Sequence, residues 1–214
     1  MAAVHALIQA GMLKKTAFFV ETNVGVLPLS TAGGRVRLNQ APPAFKPFHG
    51  SKTALAQSIG LSIADLDPLY PIVYGYTGVW TLLIPIKMLT SFSQMKPYTK
   101  DFPDILHERP NASLHPFCFE TRDADALMHA RHFSSPGSGI VEDPVTGTAS
   151  GVMGAYYKQF INRDLALPAT LLIEQGHELD KDGRIYVYLE QIDAELSVSI
   201  SGEAVHVGEI LIDL

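Results

Sequence analysis

Two carboxylates and a run of small hydroxyl residues stand together in Ser138-Gly139-Ile140-Val141-Glu142-Asp143-Pro144-Val145-Thr146-Gly147-Thr148-Ala149-Ser150. Pro144 disfavours helix at the residue before it, which holds Asp143 in an extended approach. Thr146-Gly147-Thr148-Ala149-Ser150 then opens a helix of small residues predicted to run to about Phe160. The first turn of a helix carries unpaired N–H groups and the positive end of the macrodipole. With no side chain at Gly147, the spacing predicts an uncovered backbone that an anionic group could approach. A carboxylate beside such a cradle suits proton transfer on a small acid. The plainer alternative is a capped helix with Thr146 or Thr148 as its N-cap.

Moving a proton on carbon needs a base on one face and an acid at the point of delivery, each tuned toward working pH. Asp143 is the first candidate for the acid/base group. Glu142 could instead titrate, or could serve as a charge at the helix start, and neighbouring carboxylates titrate jointly. Thr148 would offer its hydroxyl and its N–H to a substrate carboxylate or to a developing enolate-type oxygen. Gly147 and Ala149 would add backbone donors. Glu142, Gly147, Thr148 and Ala149 are therefore the expected substrate-binding set, with Asp143 and Thr148 the expected catalytic pair.

The stretch Gly139-Ile140-Val141-Glu142-Asp143-Pro144-Val145-Thr146-Gly147-Thr148-Ala149 resembles the signature of the phenazine-biosynthesis PhzF-like isomerases, which share the diaminopimelate-epimerase-like fold. Further matches follow in order: Arg131-His132-Phe133, Gln175-Gly176, Gly183-Arg184-Ile185 and Gly202-Glu203-Ala204-Val205. Thr148 stands where the family usually has Ser, and the hydroxyl is kept. The resemblance implies an α+β fold of two similar domains, each a mixed sheet curled round one helix, with the site in the cleft between them. It also implies an acidic active-site residue at Asp143, and chemistry that needs no metal, flavin or nicotinamide. Related racemases use a pair of cysteines, whereas this loop carries Asp143 and Thr148, so a two-thiol mechanism is disfavoured. In the family an earlier segment carries a catalytic Glu and a Gly-His motif. Neither is present here, so the resemblance implies a member lacking its N-terminal segment and an incomplete first domain. An isomerase acting on a small carboxylated metabolite is the leading expectation. A remnant that binds a small acid, or that self-associates without turnover, is the alternative.

The bulk properties agree with a soluble enzyme. The chain has 214 residues, 47% of them hydrophobic and 18% charged. Low charge points to surface covered between domains or subunits, and a homodimer is the expected assembly. A net charge of −6 without a basic run argues against nucleic acid. No stretch reaches membrane-spanning length, and no secretory leader is visible. Cys118, the single cysteine, excludes an intrachain disulfide and fits a reducing cytoplasm. It lies in the apolar run Pro116-Phe117-Cys118-Phe119 and reads as a buried small hydrophobe.

Around the motif, Met1 to Ala10 reads as an apolar helix stopped by Gly11, wrapped by other elements. Strands are expected at 16–21, 25–29 and 35–39. The Pro-rich run Ala41 to Pro47 is the expected boundary between a partial first domain (1–47 plus 205–214) and a second (48–204). Ser51 should cap a helix that turns Leu55 and Ile59 inward. A short helix is expected over 101–106, and strands at 77–86, 114–120, 130–133, 170–174, 184–190, 195–201 and 205–214. Over 184–190, Ile185, Val187 and Leu189 alternate with Tyr186 and Tyr188. His107 and His115 are expected at the surface, and His5 as a satisfied core or cleft histidine. No His-x-x-x-His, Cys-x-x-Cys, Gly-x-Gly-x-x-Gly or phosphate-loop spacing occurs, so neither zinc nor a nucleotide has support.

Overall fold

A computed structural model describes residues 1–208. Its frame is one eleven-stranded mixed sheet. In chain order the strands are β1 (Ala17–Thr22), β2 (Gly25–Ala32), β3 (Arg35–Asn39), β4 (Ala44–Pro47), β5 (Val73–Tyr76), β6 (Trp80–Pro85), β7 (Ser113–Cys118), β8 (Met128–Ala130), β9 (Ala169–Gln175), β10 (Gly183–Ile192) and β11 (Glu195–Gly202). Across the sheet they run β1-β2-β3-β11-β10-β9-β8-β7-β6-β5-β4. Two neighbouring pairs, β6 with β7 and β8 with β9, are parallel. The helices are α1 (Ala2–Gln9), α2 (Lys52–Ser58), α3 (Phe102–Ile105) and α4 (Gly147–Tyr156).

Helix α4 is the axis of the fold. All of its residues from Ala149 to Tyr156 are buried. A Cβ added at Gly151 would lie 3.3 Å from Ile200 of β11, and one at Gly154 would lie 2.5 Å from Val187 of β10. On its other side, Val152 approaches Gly75 of β5 so closely that a Cβ there would meet it at 2.7 Å. Strands β11 and β5 are far apart in the sheet order yet both touch α4, so the sheet curls round the helix. The core here joins Val152, Met153 and Tyr156 to Phe117, Ile173, Ile185, Val187 and Ile200. A second core on the outer face of β5, β6 and β7 holds α2 and α3 through Leu55, Ile59, Phe92 and Phe102.

Several local expectations hold because they rest on short-range chemistry. Strand β3 has its expected bounds. Ser51 Oγ accepts from Ala54 N at 3.2 Å at the start of α2, and Leu55 and Ile59 are fully buried. On β10 the aliphatic face is buried and the tyrosine face half-buried. That second face is covered by guanidiniums: Arg35 stacks on Tyr186 and Arg37 on Tyr188, at 4.1 and 4.2 Å from the ring centroids.

Others are corrected. No residue of α1 is buried, so it is not wrapped: β1, β2 and β3 extend the sheet edge as a ribbon instead of enclosing it. His5, expected as a satisfied core or cleft residue, is half-exposed on that helix. Strands β4 and β5 were not anticipated. The first lies inside the Pro-rich run, at the sheet edge where proline costs no ladder bond. Residues 205–208 are exposed and outside any strand, and the remainder of the strand expected over 205–214 lies outside the described residues. His115 is fully buried, not at the surface. Cys118 is fully buried as expected, and burial pushes its thiol up to about 12.

Candidate active site

The loop from Phe133 to Thr146 brings the sequence motif to the leading end of α4. It is anchored by an antiparallel bridge between Phe133 and Glu142 and by Ser134 N donating to Val141 O at 3.0 Å. Asp143 N then donates to His132 O at 3.0 Å. These bonds fix where Asp143 leaves the sheet.

Thr146 occupies the N-cap position of α4, with extended backbone, but its side chain makes no cap hydrogen bond. The hydroxyl turns back instead and donates to Asp143 Oδ2 at 2.8 Å. Asp143 Oδ1 accepts from Val145 N at 3.3 Å. The first intrahelical bond runs from Ser150 N to Thr146 O at 3.2 Å. Among the described residues, the N–H groups of Gly147, Thr148 and Ala149 therefore donate to no protein acceptor. The capped-helix alternative does not describe this end: neither threonine hydroxyl occupies the amides. Thr148 is held from below, where Thr77 Oγ1 donates to Thr148 O at 3.0 Å. Thr148 is half-buried, as are Asp143 and Gly147, while Ala149 is buried.

Gly147 has a different reason from the one expected. A Cβ there would lie 2.5 Å from Ile200 Cδ1, so its missing side chain lets α4 seat on β11. The same close approach explains why the helix can be wrapped at all.

Glu142, expected in the substrate-binding set, is already engaged. Arg131 Nε donates to Oε1 at 2.8 Å and Nη2 to Oε2 at 2.6 Å. Both side chains are about 8% exposed. Arg131 Nη1 also donates to Phe92 O at 2.7 Å. This planar two-point pair, tied to the backbone of another segment, makes Glu142 an anchor of the loop. Asp143 is the carboxylate of the two that stays at the helix end.

Gln175 is a positioning residue that the motif reading did not assign. Its Nε2 donates to Asp143 O at 2.6 Å and to Thr146 Oγ1 at 3.2 Å, and its Oε1 accepts from Thr146 N at 3.3 Å. Gly176 beside it has φ +94°, and a Cβ there would lie 2.6 Å from Pro144 O. The Gln175-Gly176 pair thus clamps the loop from β9. The signal that could have found it was the recurrence of this dipeptide among the motif matches.

Behind Asp143 sits a buried imidazole pair. His115 Nδ1 and His132 Nδ1 are 3.2 Å apart, so one donates and the other accepts. Burial pulls His132 down to about 4, with the nearby Asp143 charge acting the other way, and burial lowers His115 as well. Both are neutral near pH 7. A cavity of about 470 Å³ opens at the other side of the helix end. It is lined by Val145, Gly147, Gly183, Arg184, Tyr186 and Gly202, among others. It reaches the first residue of α4, and Asp143 and Thr148 are not among its lining residues.

Comparison with known proteins agrees with this architecture. The family model described as "Phenazine biosynthesis-like protein" (PhzC-PhzF) matches residues 1–209. An uncharacterized isomerase of Bacillus subtilis, YfhB, is 43% identical over 211 residues, covering 96% of this chain and 71% of that protein. The crystal structure of a Bacillus anthracis PhzF-family phenazine biosynthesis protein superposes with a TM-score of 0.92 at 46% identity, covering 98% of this chain and 73% of that one. The trans-2,3-dihydro-3-hydroxyanthranilate isomerase of Pseudomonas aeruginosa is 27% identical over 198 residues, 88% of this chain and 64% of that enzyme. An eleven-stranded sheet curled round a buried helix, the motif loop at that helix's leading end, and a family match over nearly the whole length carry one conclusion: the chain belongs to the PhzC-PhzF, phenazine biosynthesis-like family.

Proposed function

We propose that this chain is an isomerase of PhzF type that moves a proton within a small carboxylated metabolite, without metal, flavin or nicotinamide. The observation that carries the reading is the uncapped leading turn of α4. Thr146 spends its hydroxyl on Asp143 and leaves three amides at the positive end of a buried helix. These amides and the Thr148 hydroxyl suit a carboxylate or an enolate-type oxygen. Asp143 is then the acid/base group and Thr148 the catalytic donor. Gly147 and Ala149 bind through the backbone, and Glu142 braces the loop. The isomerase names of the relatives support the reaction class. A dihydro-aromatic acid, the substrate type named for the Pseudomonas aeruginosa relative, is the first to test.

The same reading includes a cytoplasmic homodimer and a division of the chain into 1–47 with 205–214 and 48–204. The relatives extend beyond the matched length, and the proposed transfer needs a second acid or base facing Asp143.

The test is proton exchange with solvent. In D₂O, a dihydro-aromatic acid incubated with the protein should gain deuterium by mass spectrometry. Asp143→Asn should slow this roughly 10²–10⁴-fold, the usual contribution of a positioned acid/base group. Exchange that proceeds unchanged in Asp143→Asn removes Asp143 from the chemistry.

A further inference from the structure

Away from the motif loop, His129 on β8, Glu174 on β9, and His177 and Glu178 in the turn after β9 converge on one buried spot. His129 and Glu174 are fully buried, and the side chains of Glu178 and His177 are 5% and 15% exposed. His129 Nδ1 lies 2.7 Å from Glu174 Oε1. Its other nitrogen, Nε2, points to Glu178 Oε1 at 3.3 Å without forming a hydrogen bond. His177 Nε2 lies 3.6 Å from Glu174 Oε2. The two imidazole rings stack, with centroids 5.6 Å apart.

Four buried side-chain polar atoms among the described residues lack a hydrogen-bond partner, and three of them meet here: His129 Nε2, His177 Nε2 and Glu178 Oε2. Buried polar atoms are almost always satisfied, so this concentration asks for a missing partner. A cation suits them, because a carboxylate oxygen and the bare nitrogen of a neutral imidazole both offer a lone pair. The charge agrees. Four carboxylates (Asp123, Glu174, Glu178, Asp182) surround the spot with two guanidiniums, Arg122 and Arg184, that pair with them. The four carboxylates outnumber these two guanidiniums by two.

We infer that His129, Glu174 and His177 form a binding site for one divalent cation of zinc type, with the Glu178 carboxylate beside it. One donor atom from each of His129, Glu174 and His177 lies within 4.8 Å of the other two. Tetrahedral zinc with ligand bonds of about 2.0–2.1 Å needs ligand atoms about 3.3–3.4 Å apart, and His177 Nε2 and Glu174 Oε2 already lie 3.6 Å apart. Two imidazoles with carboxylate oxygen is a donor set that zinc takes readily. Glu174 Oε1 fixes the His129 ring through Nδ1, which leaves Oε2, the oxygen facing His177, as the carboxylate's ligand atom. Glu174 is itself held by Arg122 N and Asp123 N at 2.7 and 2.9 Å. The site would be structural. It would lock the turn that follows Gln175, the residue that clamps the motif loop. It is independent of the proposed proton transfer.

The rival occupant is a proton: His129 as an imidazolium between Glu174 and Glu178. Cobalt(II) separates the two. Titrated into chelator-treated protein, it should bind at one equivalent per chain and give the intense visible absorption of a tetrahedral site. Zinc should displace it. His177→Asn, at a partly exposed position, should weaken binding at least about tenfold while the far-ultraviolet circular dichroism stays unchanged. His129→Gln should do the same if it folds. His107→Ala, on the surface, should bind as the parent does. Absence of a saturable equivalent in the parent, or equal uptake by His177→Asn, would assign the cluster to the proton and overturn the metal site.

Discussion

Replacing Arg131 with methionine tests whether Glu142 is an anchor or a working acid. The substitution keeps most of the side-chain volume and removes the guanidinium. It strands the Glu142 carboxylate at about 8% exposure without its two charge-assisted hydrogen bonds of 2.8 and 2.6 Å. It also frees the carbonyl of Phe92, which Arg131 Nη1 reaches at 2.7 Å. Removing one partner of a buried ion pair costs about 3–5 kcal/mol, mostly because the survivor stays charged and unpaired. For a chain of this size each kcal/mol moves Tm by about 2–4 °C, so Arg131→Met should melt roughly 6–20 °C lower. Arg131→Met combined with Glu142→Gln removes the stranded charge. The pair should then be less destabilised than the sum of the two single changes, by at least about 2 kcal/mol. Urea unfolding followed by circular dichroism measures all four corners of the cycle. Below its melting point, Glu142→Gln should keep the isotope exchange that Asp143→Asn loses. Additive energies, or a cost below about 1 kcal/mol for Arg131→Met, would refute the anchor. Loss of exchange in well-folded Glu142→Gln would return Glu142 to the catalytic set.

Three other outcomes follow from the packing and from burial. His132 sits near 4 in the fold against 6.5 for a free imidazole, so between those values the unfolded chain binds more protons. Stability should therefore fall as pH drops from about 6.5 toward 4, by up to about 3 kcal/mol from this residue, with His115 adding in the same direction. Urea midpoints that stay level from pH 7 to 4.5 would contradict the buried neutral pair. Gly154→Ala places a methyl 2.5 Å from Val187 Cγ1 and 3.2 Å from its Cβ. Val187 is β-branched and stiff, so the cost should be about 1–3 kcal/mol, with partial recovery when Val187→Ala is added. Cys118, buried and with its thiol pushed up to about 12, should resist a disulfide reagent at pH 8 until urea unfolds the chain. Rapid labelling of folded protein would show that β7 opens.

Much of the fold was legible where neighbours in sequence decide structure. Ser51 caps α2 because its oxygen meets an amide three residues on. The Ile185, Val187, Leu189 alternation marks β10 because a strand's side chains turn over at every residue. The small-residue run after Thr146 announced a wrapped helix, and α4 is buried throughout from Ala149. Where distant segments decide, the sequence misled or was silent. Met1 to Ala10 looked like a second wrapped helix by its apolarity, but burial depends on what surrounds a helix, and the described residues leave every residue of α1 unburied. Ala44–Pro47 read as a linker because its prolines break patterns, yet an edge strand tolerates them.

Residue types and spacing alone put Asp143 beside the leading turn of a small-residue helix, and the resemblance carried by that stretch implied the α+β family to which the chain belongs. The partners of the two carboxylates were decided only in three dimensions: Arg131 claims Glu142, and Gln175 from β9 holds the Asp143 loop. The spacing likewise showed no metal motif, since His129 on β8 joins Glu174 and His177, three residues apart at the end of β9, only when β8 pairs with β9. Local order follows from the chemistry of adjacent residues. A site's charge balance follows from which distant side chains the folded sheet brings within a few ångströms, and a one-dimensional spacing rule does not carry that distance.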